Sequence, residues 1–272
     1  MRPFIILLFF LSFCGLTNAG KVDTVSIYSN DMHKFSKCVV IKPEGYRKMN
    51  TRFPVVYLLH GYGGWYANFI IRIPQLKEYA DTYQALLVCP DGAIGSWYID
   101  SPADSAYRYE SYMIKDLVPF IDKNYRTLAN KEHRAICGLS MGGHGALFLA
   151  LRHHSIFGAA GGMSGGFDLY SFRTEFEIGK RIGDTIEHAA EWHDLSVINL
   201  IENYVHTPVK IIFDCGNRDI FIEPNRALHR KMLLLKIPHD YIERPGEHNW
   251  DYWRKAIPYQ LLFFSRFFKG NG

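Results

Sequence analysis

Residues 133–154 read HRAICGLSMGGHGALFLALRHH, and the way this stretch turns decides the fold. Its first part is a short apolar run with the look of a buried strand, and its last part is a helix-forming run. Between them Gly138-Leu139-Ser140-Met141-Gly142 satisfies G-x-S-x-G. A strand that reverses into a helix within so few residues forces the serine into strained backbone geometry, and the flanking glycines let neighbouring chain approach without Cβ clashes. Serine is also a common helix cap. The strand directly before and the helix directly after favour a nucleophile whose hydroxyl is projected out of the turn.

Outward from this turn the chain alternates. Six further short runs have strand character beyond an N-terminal pair (TVSIYS, KCVVIKP): FPVVYLLH, ALLVCPD, HRAICGLS, AAGGMSG, VKIIFDCG and HDYIERPG, most of them bounded by Gly, Pro or Asp. Candidate helices lie between them at 68–83, 109–125, 142–154, 223–237 and 250–268. Strands alternating with helices predict an α/β fold, with a mostly parallel central sheet, helices on both faces and ligand chemistry at the carboxyl ends of the strands. Residues 167–207 break the rhythm and read as a small helical insertion or cap near the site. Residues 20–272 otherwise read as a single domain without repeats.

Composition narrows the function. The 272 residues are 48% hydrophobic and 21% charged, which suits a globular chain with a large core. A net charge of +4 without a Lys/Arg stripe gives no case for nucleic acid, so the expected partner is a small-molecule or polysaccharide-linked substrate. Residues 1–19, with Arg2, an apolar run from Phe4 to Phe13 and a small-residue end at Ala19, read as a signal peptide and predict a secreted or periplasmic protein. Lipid attachment at Cys14 is the weaker reading, because Phe13 fits a lipobox poorly. No other segment is long and apolar enough to span a bilayer. Cys38, Cys89, Cys137 and Cys215 have neither zinc-site nor disulfide-framework spacing; the last three end apolar runs and read as buried hydrophobes. No metal site and no cofactor is expected.

A serine nucleophile needs a base within hydrogen-bond reach. His248, in the glycine-containing loop RPGEHNW between the last strand and the last helix, is the candidate. The base needs an acid to fix its tautomer; Asp219, in FDCGNRDIF after VKIIF, is first choice and Asp214, nearer the strand interior, second. Two backbone N–H groups must meet the oxyanion. Met141, directly after the nucleophile, supplies one and Tyr62, in the loop LLHGYGG, the other. Losing such a donor typically costs ~3 kcal/mol. His60, His144, His153 and His154 read as structural. Trp65, Trp97, Tyr98 and Trp250 sit beside the motif loops, and Trp97, Tyr98 and Trp250 are candidate substrate contacts, although most aromatics at this density belong to the core.

Taken together, FPVVYLLHGYGG, VCPDG, SWYIDSP, YESYMIKDLVPFIDKNYRT, HRAICGLSMGGHGALFLAL, CGNRD and GEHNW resemble the esterase family of the α/β-hydrolases. That family includes feruloyl and acetylxylan esterases of carbohydrate esterase family 1, tributyrin-type esterases, S-formylglutathione hydrolase and mycolyltransferases. The resemblance covers roughly residues 50–268. It implies the α/β-hydrolase fold, Ser140, Asp219 and His248 as catalytic triad, the HGYGG loop as oxyanion element, and no cofactor. With the leader, it implies an acetyl, feruloyl or other short-acyl esterase working outside the cytoplasm. The alternatives are an S-formylglutathione hydrolase-like thioesterase and a non-catalytic binding protein on a hydrolase scaffold.

Overall fold

The computed structural model describes residues 21–46 and 50–270; the expected signal peptide lies outside the described residues. Among the described residues eight strands form one sheet: β1 (Val22–Ser29), β2 (Lys34–Ile41), β3 (Val55–Leu59), β4 (Leu86–Pro90), β5 (Arg134–Leu139), β6 (Ala159–Met163), β7 (Lys210–Gly216) and β8 (Asp240–Arg244). Their spatial order is β1-β2-β4-β3-β5-β6-β7-β8. The first two strands pair antiparallel with each other, and β2 pairs antiparallel with β4. The remaining strands run parallel. Strands β3 to β6 are buried at every position, as expected for parallel strands covered on both faces, which carry continuous apolar runs rather than alternation. The chain leaves β3 in one direction to build β4 and returns to place β5 on the other side. The carboxyl ends of β3 and β5 therefore flank a topological switch point, where open α/β sheets bind ligands.

Among the described residues ten α-helices surround the sheet. The 68–83 segment, expected as one helix, is two: α1 (Asn68–Arg72) and α2 (Leu76–Tyr83). Ile73, held before Pro74, has φ −130° and ψ 76°, outside the helical region that a following proline disfavours. The 109–125 segment is helical throughout, but α3 (Tyr109–Ser111) and α4 (Val118–Asn124) are joined by a π-helical stretch, Tyr112–Leu117. Helix α5 (Met141–Arg152) follows the serine turn. Short helices α6 (Ile178–Ile182), α7 (Ala189–Asp194) and α8 (Val197–Leu200) fill the span between β6 and β7, and α9 (Ile222–Leu234) and α10 (Trp250–Phe268) complete the set. Asn249 caps α10 by accepting from the Tyr252 N–H at 3.1 Å.

The sheet divides two apolar cores. Residues of α5, α8 and α9 (Leu147, Leu200, Leu228) pack on one face, and residues of α1, α2 and α10 (Phe69, Leu76, Ile257, Phe264) on the other. Burying each such side chain stabilises by ~1.5–3 kcal/mol relative to leaving it exposed. Strand β6 is the narrow point. A Cβ on Gly161 would lie 2.0 Å from Gln260 Oε1 of α10, while one on Gly162 would lie 2.9 Å from the ring of Phe167 on the other face. Among the described residues no helix is long and apolar enough to cross a membrane.

Candidate active site

Ser140 occupies the sharp turn between β5 and α5, with φ 55° and ψ −122°. This is a sparsely populated region for a residue with a side chain and costs of order 1–3 kcal/mol. Three observations explain why the turn holds. The Ser140 N–H donates to Met163 O of β6 at 2.9 Å, and its carbonyl accepts from Gly143 N–H (2.9 Å) and His144 N–H (3.1 Å). A Cβ on Gly142 would meet Leu59 O at 2.1 Å, so only glycine lets α5 begin against the end of β3.

The structure brings Ser140, His248 and Asp219 together from three segments. Ser140 Oγ lies 2.9 Å from His248 Nε2, and His248 Nδ1 lies 2.9 and 3.0 Å from the two carboxylate oxygens of Asp219. A carboxylate only accepts, so Nδ1 carries the proton, and Nε2 is left to accept from the serine hydroxyl. Asp219 is fixed in turn by the Phe221 N–H, which donates to Oδ1 at 2.8 Å. Phe221 and Trp253 meet the imidazole edge-to-face at 5.0 Å each, which leaves the ring little freedom to turn.

The loop after β3 approaches the same serine: a Cβ on Gly61 would lie 3.1 Å from Ser140 Cβ. Its shape is set by His60, whose Nδ1–H donates to Gly61 O at 2.8 Å while Nε2 accepts from Gly92 N–H at 2.8 Å. Both bonds suit a neutral ring, and burial lowers the His60 pKa. Gly63 N–H donates to Ile94 O at 2.8 Å, so the turns after β3 and β4 are tied to each other. The N–H groups of Tyr62 and Met141 have no acceptor among the described residues. Two unengaged amides beside a nucleophile are what a developing oxyanion requires.

A cleft of about 280 Å³ opens over Ser140 and His248, with Tyr62, Phe176, Trp250, Asn68 and Arg72 among its lining. Tyr62 meets Phe176 edge-to-face at 5.7 Å. Trp250 stands on Phe69 at 5.8 Å and on Trp253 at 5.4 Å.

With this geometry in view, a match to the family described as "Putative esterase" over residues 29–264 has a physical basis. The chain belongs to the esterase family. It is 27% identical over 236 residues to an esterase of Mycobacterium tuberculosis, an alignment that covers 77% of this chain and 51% of that protein; the chain thus spans about half the length of this relative. It is 25% identical over 223 residues to an acetyl esterase of Caldicellulosiruptor saccharolyticus, covering 78% of this chain and 83% of that one. Among solved structures, a ferulic acid esterase superimposes with a TM-score of 0.79 at 25% identity, covering 92% of this chain and 99% of that one. The α/β-hydrolase fold is common to this esterase-family chain and its structural neighbours.

Two expected substrate contacts sit elsewhere in this esterase fold. Trp97 is 1% and Tyr98 0% exposed, and neither borders the cleft. Trp97 Nε1–H donates to Phe176 O at 3.1 Å, so it supports a cleft residue rather than forming the wall. The Tyr98 hydroxyl donates to His60 O at 3.2 Å, and its ring fills the space that Gly92 and Gly145 leave. Their neighbour His144 is buried, lies 2.8 Å from Leu195 O through Nε2, and is pushed down to about 4 by burial, a structural neutral ring. Trp250 does line the cleft. Asp214, the second-choice acid, is buried in β7 and accepts from the Tyr252 hydroxyl (2.9 Å) and Gln260 Nε2 (2.7 Å), away from His248. Asn68, Arg72, Phe176 and Trp253 are cleft residues that the sequence motifs do not announce. Phe176 comes from the segment between β6 and β7. Among the described residues no group of His, Cys, Asp and Glu is placed to hold a metal ion.

Proposed function

We propose that this chain is a serine carboxylic-ester hydrolase in which Ser140 attacks, His248 moves the proton, Asp219 orients and stabilises the imidazolium, and the N–H groups of Tyr62 and Met141 receive the oxyanion. The observation that carries the reading is the unbroken hydrogen-bond chain from Ser140 Oγ through His248 to Asp219, started from a serine at φ 55°. Each step follows from ordinary acyl-transfer chemistry. As Oγ bonds to the ester carbonyl carbon, His248 Nε2 accepts its proton, and the carbonyl oxygen gains negative charge between the two amides. Collapse of the tetrahedral species breaks the bond to the alcohol oxygen, which takes the proton from His248. A water activated by the same nitrogen then releases the acid and restores the serine.

Acetyl, feruloyl and other short acyl esters, including polysaccharide-linked ones, are the proposed substrates. A cleft of this size with aromatic walls supports that choice, as does similarity to proteins named acetyl esterase and ferulic acid esterase. Removal of residues 1–19 and export are part of the same proposal, with residues 167–207 contributing Phe176 as the edge of a cap. The test is hydrolysis of p-nitrophenyl acetate, butyrate and octanoate beside methyl ferulate and acetylated xylan by the mature protein, with Ser140→Ala as control. The variant is expected to lose at least about 10⁴-fold in kcat/KM while melting as the parent does. Equal rates in the two proteins, or no labelling of the parent by a serine-directed fluorophosphonate, would overturn the assignment.

A further inference from the structure

The cleft carries one charge whose use the esterase reading leaves open. Arg72, in the last turn of α1, borders the same space as Ser140 and His248. Among the described residues its guanidinium has neither a carboxylate within ion-pair distance nor a hydrogen-bond acceptor. An exposed arginine is ordinary in itself. What distinguishes this one is the state of the charges around it.

The acidic residues that flank the cleft in sequence are already matched. Asp251 pairs with Arg254 at 2.7 Å, Glu247 with Arg218 at 3.1 Å, and Glu177 with Lys180 at 2.9 Å. Arg254, the other cation near α1, is neutralised by Asp251, and its Nε–H donates to the Arg72 carbonyl at 2.8 Å. That bond anchors the main chain from which the Arg72 side chain extends. Asn68 stands four residues earlier on α1, on the same helix face. Its Oδ1 accepts from Trp65 N–H at 2.6 Å, which leaves its amide N–H₂ as a donor. The wall behind is apolar, Trp250 packed on Phe69, and a charge beside such a surface is less screened than one in bulk water.

Resting on the serine-esterase reading, we infer that the site is selective for esters that carry a carboxylate, bound through the Arg72 guanidinium with the Asn68 amide as a second donor. Guanidinium and carboxylate match as a two-pronged pair. The carboxylate can sit on the acyl or the alcohol side of the ester, and the two sources separate experimentally.

The measurement is a ratio of kcat/KM for a charged ester to that for a neutral partner of similar shape. For the acyl side the pair is mono-p-nitrophenyl glutarate and p-nitrophenyl pentanoate; for the alcohol side it is 4-acetoxybenzoate and phenyl acetate. Intrinsic reactivity cancels when the ratio is compared between the parent and Arg72→Gln. On one of the two arms the ratio is expected to fall about tenfold in Arg72→Gln, as for loss of one hydrogen bond to a charged group, and to be partly restored in Arg72→Lys. The parent's ratio on that arm also falls when salt is raised to about 0.5 M, because screening weakens an exposed pair. Ratios that do not change with Arg72→Gln on either arm overturn the inference. So does a parent ratio indifferent to salt on both arms, a readout that stands even where the variant fails to fold. If the parent hydrolyses neither charged nor neutral esters, it is the esterase reading that fails.

Discussion

Asp214 and Asp219 stand five residues apart, both essentially buried, on the strand β7 and the turn that follows it. Their surroundings differ in kind. Asp219 receives a backbone N–H and an imidazole N–H, which places it beside the ring that becomes positive in the proposed mechanism. Asp214 receives the hydroxyl of Tyr252 and the amide of Gln260, with Arg244 at 3.6 Å. Burial is the dominant influence on Asp214 and pushes its carboxyl up to about 6 against the lowering effect of these donors. One aspartate lies behind His248, whose ring borders the cleft, and belongs to the proposed relay; the other lies inside the sheet and ties the start and middle of α10 to β7. Proximity in sequence and equal burial therefore say little about role. The partner decides it.

The sharpest way to break this distinction is Asp219→Asn. An amide at that position presents a donor or a weaker acceptor to Nδ1, which favours the wrong histidine tautomer, and kcat is expected to fall about 10⁴-fold, the size such a change has in serine proteases. Asp214→Asn is expected to stay within about tenfold of the parent rate, because Asp214 touches no group of the proton relay. A rate loss in Asp214→Asn that matches Asp219→Asn would reverse the assignment.

Stability separates the two further. The Asp214 carboxyl has an ordinary value of 3.8 and rises to about 6 in the fold. Between those values the folded chain holds a proton that the unfolded chain has released, so stability falls as pH rises through that window, by on the order of 3 kcal/mol. Asp214→Asn removes this contribution. Its melting temperature, followed from pH 4 to pH 6, is expected to lack the part of the decline that the parent shows there. The smallest effect belongs to Tyr252→Phe. It deletes one bond to Asp214 at a cost of about 2 kcal/mol well above pH 6, where the carboxyl is charged, and extends the stability decline to higher pH, because losing a donor that lowers the carboxyl raises it further in the fold. Esterase rates within about threefold of the parent are expected, since the bond is remote from Ser140. A large kcat loss without a KM change would instead make the Asp214–Tyr252 pair a positioning element for the His248 loop.

Much of this was legible from local pattern. The inner strands β3 to β6 announce themselves because buried parallel strands are short apolar runs between turn residues, and Ser140, Asp219 and His248 stand just beyond strand ends, where the chain must turn. The choice between Asp214 and Asp219 was harder, since it depends on which carboxylate the histidine loop reaches from the next strand. The break at Ile73-Pro74 was written in the proline, although the amphipathic pattern ran through it. The π-helical stretch 112–117 was not legible, because one extra residue per turn barely alters an apolar stripe. Trp97 and Tyr98 look like site residues by their place in the chain, yet tertiary packing buries them against Gly166 and Gly145 respectively. Arg72 and Phe176 were invisible for the opposite reason: neither belongs to a motif, and only the docking of α1 and of the 167–207 segment beside the β3 and β5 ends brings them to the cleft.

The two glycines of β6 face opposite ways, and both helical layers come close to the sheet there. Ser140 and Asp219 lead into α5 and α9 on one face, whereas His248 leads into α10 on the other. The proposed proton relay thus straddles the sheet, with its serine and its histidine carried by different layers of the molecule. On the proposed mechanism turnover is consequently a gauge of how the two layers are seated: a shift of α10 by about 1 Å would cost on the order of 10²-fold in rate while every strand and helix remained formed.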